Sequence, residues 1–306
     1  MRKSRLGKET RVRKKGMAMT TTSNGTAPAV LITGASSGIG AASARLLVQQ
    51  GWRVFAGVRS KQDVTTLQHT TSDRLTPLFL DVTDASSISE AVETIQAAVG
   101  EAGLAGLVNN AGIVVVGPLE CLPMSELHAQ FAVNVFGLLA VTQAFLPLLR
   151  QGKGQIVNIG SLAGKVAFPF WGPYSASKYA VEALTDALRM ELLPWRLKVT
   201  LVEPFVIATP LWKKITQRAR ESSSQDALRL YGPLLTYLDD DIPRTGQSGL
   251  PADDVAKAVV QALTAKSPKT RYVVTKPSLS RQIHMLRLLP DRTRDRLLRQ
   301  NLPKYP

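Results

Sequence analysis

A single cysteine, Cys121, stands in a chain of 306 residues. That excludes an internal disulfide framework and any zinc site built on cysteines, and a reducing, cytoplasmic setting is expected. Histidine is equally scarce. His69, His128 and His284 belong to dissimilar segments without metal-ligand spacing, so no metal is expected. Long apolar runs are missing too. The longest, Asn134 to Leu149, is interrupted by Thr142, Gln143 and Pro147, short of the roughly 20 apolar residues a spanning helix needs. No G-x-S-x-G elbow is present, because Ile159 stands two before Ser161 where that motif has glycine, which argues against hydrolase chemistry. A soluble globular protein is expected.

Apolar residues make up 44% of the chain, too many for a disordered protein and enough for a substantial core. The net charge of +15 suggests nucleic acid until its location is checked. Residues 1–16 carry eight bases against Glu9, and residues 266–306 carry eleven against Asp291 and Asp295. The segment between them is close to neutral. Two basic ends on a neutral body argue against a fold built to grip phosphate backbones, and no nucleic-acid partner is expected. Residues 1–28 have charge, Thr, Ser and Gly but no apolar periodicity, and they read as a disordered basic extension. Met17 and Met19 lie close before the body and offer alternative starts.

Across 29–276, short β-branched runs alternate with helical patterns. Strands are expected at Ala29–Thr33, Arg53–Gly57, Thr76–Leu80, Leu104–Val108, Gln155–Ile159, Lys198–Val202 and Arg271–Val274. Most are apolar almost throughout, as strands covered on both faces should be. Helices are expected at Gly38–Gln50, Ala85–Val99, Ser125–Leu149, Tyr174–Leu193 and Ala252–Ala265, with Asp84 as an N-cap. The alternation implies an α/β fold: one doubly wound (Rossmann) domain on a seven-stranded parallel sheet.

Thr33-Gly34-Ala35-Ser36-Ser37-Gly38-Ile39-Gly40 follows the first strand and opens the first helix. Glycines there permit a tight turn and let backbone N–H groups approach a pyrophosphate at a helix N-terminus. Further motifs follow in order. Asp81 comes after the third strand, and Asn109-Asn110-Ala111-Gly112 after the fourth. Asn134 stands in a V-N-V-F-G context, Ser161 follows the fifth strand, and Tyr174-Ser175-Ala176-Ser177-Lys178 reads Y-x-x-x-K. Residues 29–276 thereby resemble the short-chain dehydrogenases/reductases, in particular their retinol- and steroid-type members.

Tyrosine and lysine four apart on a helix share a face. A nearby ammonium would lower the tyrosine pKa toward working pH, as a general acid/base requires. Tyr174 is therefore the candidate proton donor or acceptor, and Ser161 can hydrogen-bond the substrate oxygen. The resemblance implies that Lys178 also holds the nicotinamide ribose and that Asn134 holds a relay water. It further implies cofactor contacts from Gly34, Ser36, Ser37, Gly38, Ile39 and Gly40, from Asp81 and Val82, from Asn110, Ala111 and Gly112, and from Pro204, Ile207 and Thr209. Strand two ends Phe55-Ala56-Gly57-Val58-Arg59-Ser60. Val58 sits where the family's NAD enzymes usually carry Asp, and Arg59 can bind a 2′-phosphate, so NADP(H) is favoured with NAD(H) as the alternative.

One departure stands out: Phe205 replaces the glycine usual after Pro204. Residues 211–250 are expected to form a lid over a small-molecule substrate. With Phe168, Phe170 and Trp171 they suggest a large apolar pocket, lid packing or a dimer interface being the alternatives. Residues 277–306 read as a basic amphipathic pair of short helices. They suit packing over the substrate mouth, a subunit neighbour or a peripheral membrane contact. A homodimer or homotetramer is expected. The leading function is an oxidoreductase acting on a bulky apolar alcohol or ketone, and the alternative is a non-catalytic dinucleotide-sensing regulatory or scaffold protein on the same fold.

Overall fold

A computed structural model describes residues 27–69, 72–300 and 302. The expected disordered extension therefore lies, up to residue 26, outside the described residues. The strands are β1 (Ala29–Thr33), β2 (Arg53–Val58), β3 (Leu75–Phe79), β4 (Gly106–Asn109), β5 (Gln155–Ile159), β6 (Lys198–Pro204), β7 (Ile207–Ala208), β8 (Leu250–Pro251) and β9 (Arg271–Val274). The helices are α1 (Gly38–Gln49), α2 (Lys61–His69), α3 (Ala85–Val99), α4 (Met124–Phe131), α5 (Leu138–Gly152), α6 (Gly172–Glu191), α7 (Leu211–Ser222), α8 (Gln225–Gln247), α9 (Ala252–Thr264), α10 (Pro277–Leu288) and α11 (Asp291–Arg299).

The main sheet has seven parallel strands in the order β3-β2-β1-β4-β5-β6-β9, and β7 pairs with β8 apart from it. The order in which strands are added reverses between β1 and β4, so their carboxyl ends border a crevice, the usual ligand position of such sheets. Strand alternation divides the core. Val30 and Ile32 of β1 join Val108, Val157 and Ile159 under α1 and α9. Ala29 and Leu31 turn the other way, joining Leu107 and Ile156 beneath α3, α5 and α6. A buried polar chain ties that second layer to the sheet. Asn109 Nδ2 donates to Thr142 Oγ1 and to Asn158 Oδ1, and Asn158 Nδ2 donates to Thr185 Oγ1, each at 2.9 Å.

Several expectations shift. β3 begins one residue early, and β4 starts at Gly106 because the Leu104 N–H is bonded to the Leu148 carbonyl of α5 rather than to a strand. The single helix expected at Ser125–Leu149 is interrupted by a π-helical turn, Ala132–Gly137, that carries Asn134. Met124–Gly152 does form a helical stretch long and apolar enough to cross a membrane by length and composition, since helices accept the Thr and Gln that break an apolar run. Half of its 18-residue apolar window is buried, and Val141, Phe145 and Leu149 lie in the second core layer. α2 carried no readable apolar period and was not expected.

The carboxy-terminal helices lie on the molecule's own surface. Ile283, Leu286, Leu289 and Leu298 pack against Leu162, Val166, Phe168 and Phe205. This explains Phe205: its ring meets Phe168 at 5.7 Å, and its φ is not positive, so glycine is not required. Phe145→Ala, at a fully buried position, should cost about 3–5 kcal/mol. Leu288→Ala, 86% exposed, should stay within about 0.5 kcal/mol, both read by chemical denaturation.

Candidate active site

The crevice at the strand ends opens into a cleft of about 670 Å³. At one end, the turn after β1 is shaped by Gly34 (φ 65°) and Gly38 (φ 56°), a left-handed conformation that side chains resist. Gly40 lies beneath the turn, where a Cβ would stand 2.3 Å from the Gly34 carbonyl oxygen. Ser37, the N-cap of α1, makes no side-chain cap, so the first N–H groups of the helix remain for an anion. Bare backbone, a helix N-terminus and no side chain in the way fit a dinucleotide's pyrophosphate.

The turn is fastened to the β4 loop. Asn110 Nδ2 donates to the carbonyls of Thr33 and Gly34, both at 2.9 Å, and Thr33 Oγ1 accepts from Asn110 N at 3.0 Å and Ala111 N at 2.9 Å. Gly34, Ser36, Ser37, Gly38, Ile39, Arg59, Asp81, Val82, Asn110, Ala111, Gly112, Tyr174, Lys178, Pro204, Ile207 and Thr209 all line the cleft; Gly40 supports it from below. Asp81 Oδ1 is held by the N–H and hydroxyl of Thr83 at 2.9 and 2.7 Å.

At the other end, Asn134, Ser161, Tyr174 and Lys178 line the same cleft. Asn134 accepts from Ile113 N at 2.9 Å and donates to Ile113 O at 3.0 Å and Ser177 Oγ at 3.2 Å. Its π-helical turn is a common device at functional sites. Gln130, one turn earlier on the same face, accepts from Val115 N at 2.7 Å and donates to Ile113 O at 2.9 Å. That pairing was missed, although the four-residue spacing signals it. Ser161 caps the short turn Leu162–Gly164 through Ala163 N at 3.1 Å, and its hydroxyl is close enough to the Tyr174 phenol to favour the phenolate.

Lys178 Nζ donates to the Ile159 carbonyl at 2.8 Å and stands 5.8 Å from the centre of the Tyr174 ring. Burial pushes this ammonium down to about 8. Burial also pushes the Tyr174 phenol above its ordinary value, opposed by the Ser161 hydrogen bond. The expected lowering of Tyr174 is thus reversed: desolvation of the phenolate outweighs an ammonium turned toward a backbone carbonyl.

Two other expectations change. Val58 is fully buried in the core under α1 and lines no part of the cleft, whereas Arg59 is exposed beside it. A carboxylate at residue 58 would enter apolar surroundings. Of the expected lid residues, Leu211, Trp212 and Ile215 line the cleft with Lys214, Gln217, Arg218 and Glu221, so its outer wall is charged. Leu228, Leu235 and Leu238 border a separate cavity of about 240 Å³. Trp171 lines the apolar end, with ring centres 6.2 Å from Tyr174 and 6.1 Å from Trp212. Phe168 lies outside, under α10. Arg218 forks onto Glu126 at 2.5 and 3.2 Å, a pairing between remote segments that no local spacing shows.

Comparison with known proteins adds the following. The family model for short chain dehydrogenase matches residues 28–220. The NADPH-dependent 3-dehydrocapnine reductase of Ornithobacterium rhinotracheale is 38% identical over 279 residues, covering 90% of this chain and 97% of that protein. The 17-beta-hydroxysteroid dehydrogenase type 6 of Bos taurus is 38% identical over 251 residues, covering 79% of each. A short chain dehydrogenase from Burkholderia cenocepacia, solved in complex with NADP, superposes with TM-score 0.67 at 25% identity, covering 89% of this chain and 98% of that one.

Gly40→Ala should drive a methyl into the turn and cost about 1–3 kcal/mol of stability, with dinucleotide affinity falling alongside. Denaturant melts and calorimetric titration read the two effects.

Proposed function

The chain belongs to the short chain dehydrogenase family, and we propose that it transfers a hydride between NADP(H) and a carbonyl or alcohol on a bulky, largely apolar small molecule. The observation that carries this reading is the convergence of Ser161, Tyr174 and Lys178 in the cleft that also holds the glycine turn. The turn at Gly34–Gly38, with Ile39, would hold the pyrophosphate, Asp81 and Val82 the adenine side, and Asn110–Gly112, Pro204, Ile207 and Thr209 the remainder. Bound there, NADPH supplies the hydride.

The chain supplies the proton. Burial keeps the Tyr174 phenol protonated at neutral pH, the form that can donate to a substrate carbonyl oxygen. The Ser161 hydroxyl, in the same cleft beside that phenol, helps hold the same oxygen. Lys178, with its pKa near 8, still carries its charge at pH 7 and favours the phenolate that donation leaves behind. Asn134 fixes the Ile113 segment and reaches Ser177, next to Lys178, which suits the relay role.

Arg59 supports NADP(H) over NAD(H). It lines the cleft with Ser37 and Ser60, and among the described residues no ion pair occupies it. Asp63 lies on the same wall and leaves NAD(H) as the second reading. Trp171, Leu211, Trp212 and Ile215 supply an apolar wall for the substrate body. A homodimer or homotetramer, a cytoplasmic setting and a peripheral membrane contact through the exposed Met285 and Leu288 of α10 remain parts of the proposal.

Tyr174→Phe keeps the ring and removes the proton; turnover should fall at least ~100-fold, with NADPH binding kept in fluorescence titration. Near-normal turnover would overturn the mechanism. Arg59→Ala should weaken NADP by about 10-fold relative to NAD, the lower end for a charge-assisted contact because Arg59 is exposed. Equal affinity of the parent for both cofactors would reject that assignment.

A further inference from the structure

Three segments that carry the site meet again behind it, in a buried charged cluster that proton and hydride transfer do not use. Lys165 follows the Ser161 turn, Glu182 lies one helical turn beyond Lys178 on α6, and Glu203 precedes Pro204 at the end of β6. Lys165 Nζ stands 2.5 Å from Glu182 Oε2 and 3.3 Å from Glu203 Oε1, with side-chain exposures of 15%, 10% and 1% respectively. From β9, Arg271 donates to Glu182 at 3.1 Å and to Asp186 at 2.7 Å, and Arg189 of α6 pairs with Asp186 at 2.6 Å. Farther out, Arg287 of α10 and Arg294 of α11 face Tyr179 on α6, which also feels Glu182.

The two guanidinium groups are spent on Asp186 and one oxygen of Glu182, so among the described residues Lys165 is the cation that reaches Glu203. Among the described residues, the buried Oε1 atoms of Glu182 and Glu203 accept no aligned hydrogen bond, and the latter has only the Lys165 ammonium beside it at 3.3 Å. Both carboxyl groups crowd the same buried ammonium, and two like charges held that close favour one shared proton. We propose that Glu182 and Glu203 share one proton, and that this pair, clasped by Lys165, is a positioning device. It holds the Ser161 turn, the loop after β6 and the Tyr174–Lys178 helix in register.

Burial and the neighbouring Glu182 push Glu203 up to about 7, against the pull of Lys165. An acid whose pKa is raised by folding keeps its proton where the unfolded chain has lost it. It therefore subtracts stability progressively as pH rises from about 4.5 to about 7. Glu203→Gln mimics the protonated form and removes that dependence.

Infrared titration and thermal melting test the shared proton directly, without substrate. The wild type should show a protonated-carboxyl band at pH 6 that fades as pH passes through about 7 and is missing from Glu203→Gln. The Tm of Glu203→Gln minus that of the wild type should widen by several degrees between pH 5 and pH 8. No such band, a band that survives the substitution, or parallel Tm curves would overturn the proposal. The positioning claim rests on the oxidoreductase reading and is tested separately. Lys165→Met should lower kcat by about 10- to 100-fold with NADPH affinity unchanged, and Lys165→Arg should restore most of it. An unaltered kcat, or an Arg variant as poor as Met, would overturn the positioning role. The infrared and melting results would stand even if the oxidoreductase reading failed.

Discussion

The Asn110 carboxamide joins the two loops on which the cleft depends. The ladder between β1 and β4 runs out at Ile32 and Val108, and beyond it the two loops part on opposite sides of the crevice with no strand pairing to fix them. Asn110 bridges them by donating to Thr33 and Gly34, while the Thr33 hydroxyl takes two N–H groups from the far loop. The glycine turn is thereby pinned with its backbone toward the crevice. Gly40 must then lack a side chain, because Asn110 Nδ2 would lie 2.6 Å from its Cβ. The resemblance had implied a cofactor contact for Asn110; its side chain is spent on shaping the groove that it lines.

The opposite wall is organised by α6. Tyr174, Lys178 and Glu182 recur at four-residue steps and meet, in turn, Ser161, the Ile159 carbonyl and the Lys165 ammonium. Burial acts on the first two in complementary ways, keeping the phenol protonated and making the ammonium easier to neutralise. Gln130 near the end of α4 and Asn134 in the π-helical turn both hold the Ile113–Val115 segment, of which Ile113 and Val114 line the cleft.

Much of this was legible in the chain because period and punctuation are local signals. Apolar runs of four to six residues marked the strands, and the glycine turn and the Y-x-x-x-K pair marked two sides of the cleft. What escaped was set by packing between remote segments. Val58 continues an apolar strand into the core, so only its exposure tells it from the cleft-facing Arg59. Phe205 looked anomalous until α10 lay across it, and the Tyr174 pKa turned on a balance of burial against distance. The Arg218–Glu126 and Lys165–Glu182–Glu203 contacts join residues that no spacing relates. α2 has a weak apolar face and is fixed by its neighbours β2 and β3.

Turnover by this cleft separates an oxidoreductase from a dinucleotide sensor. The direct measurement is NADPH absorbance with the purified protein and a panel of steroids, retinoids, aliphatic ketones and sugars. NADPH consumption is expected with carbonyl compounds that carry a bulky apolar body, and little with sugars. Tight NADPH binding without consumption across the whole panel would contradict the oxidoreductase reading and favour a dinucleotide-sensing protein.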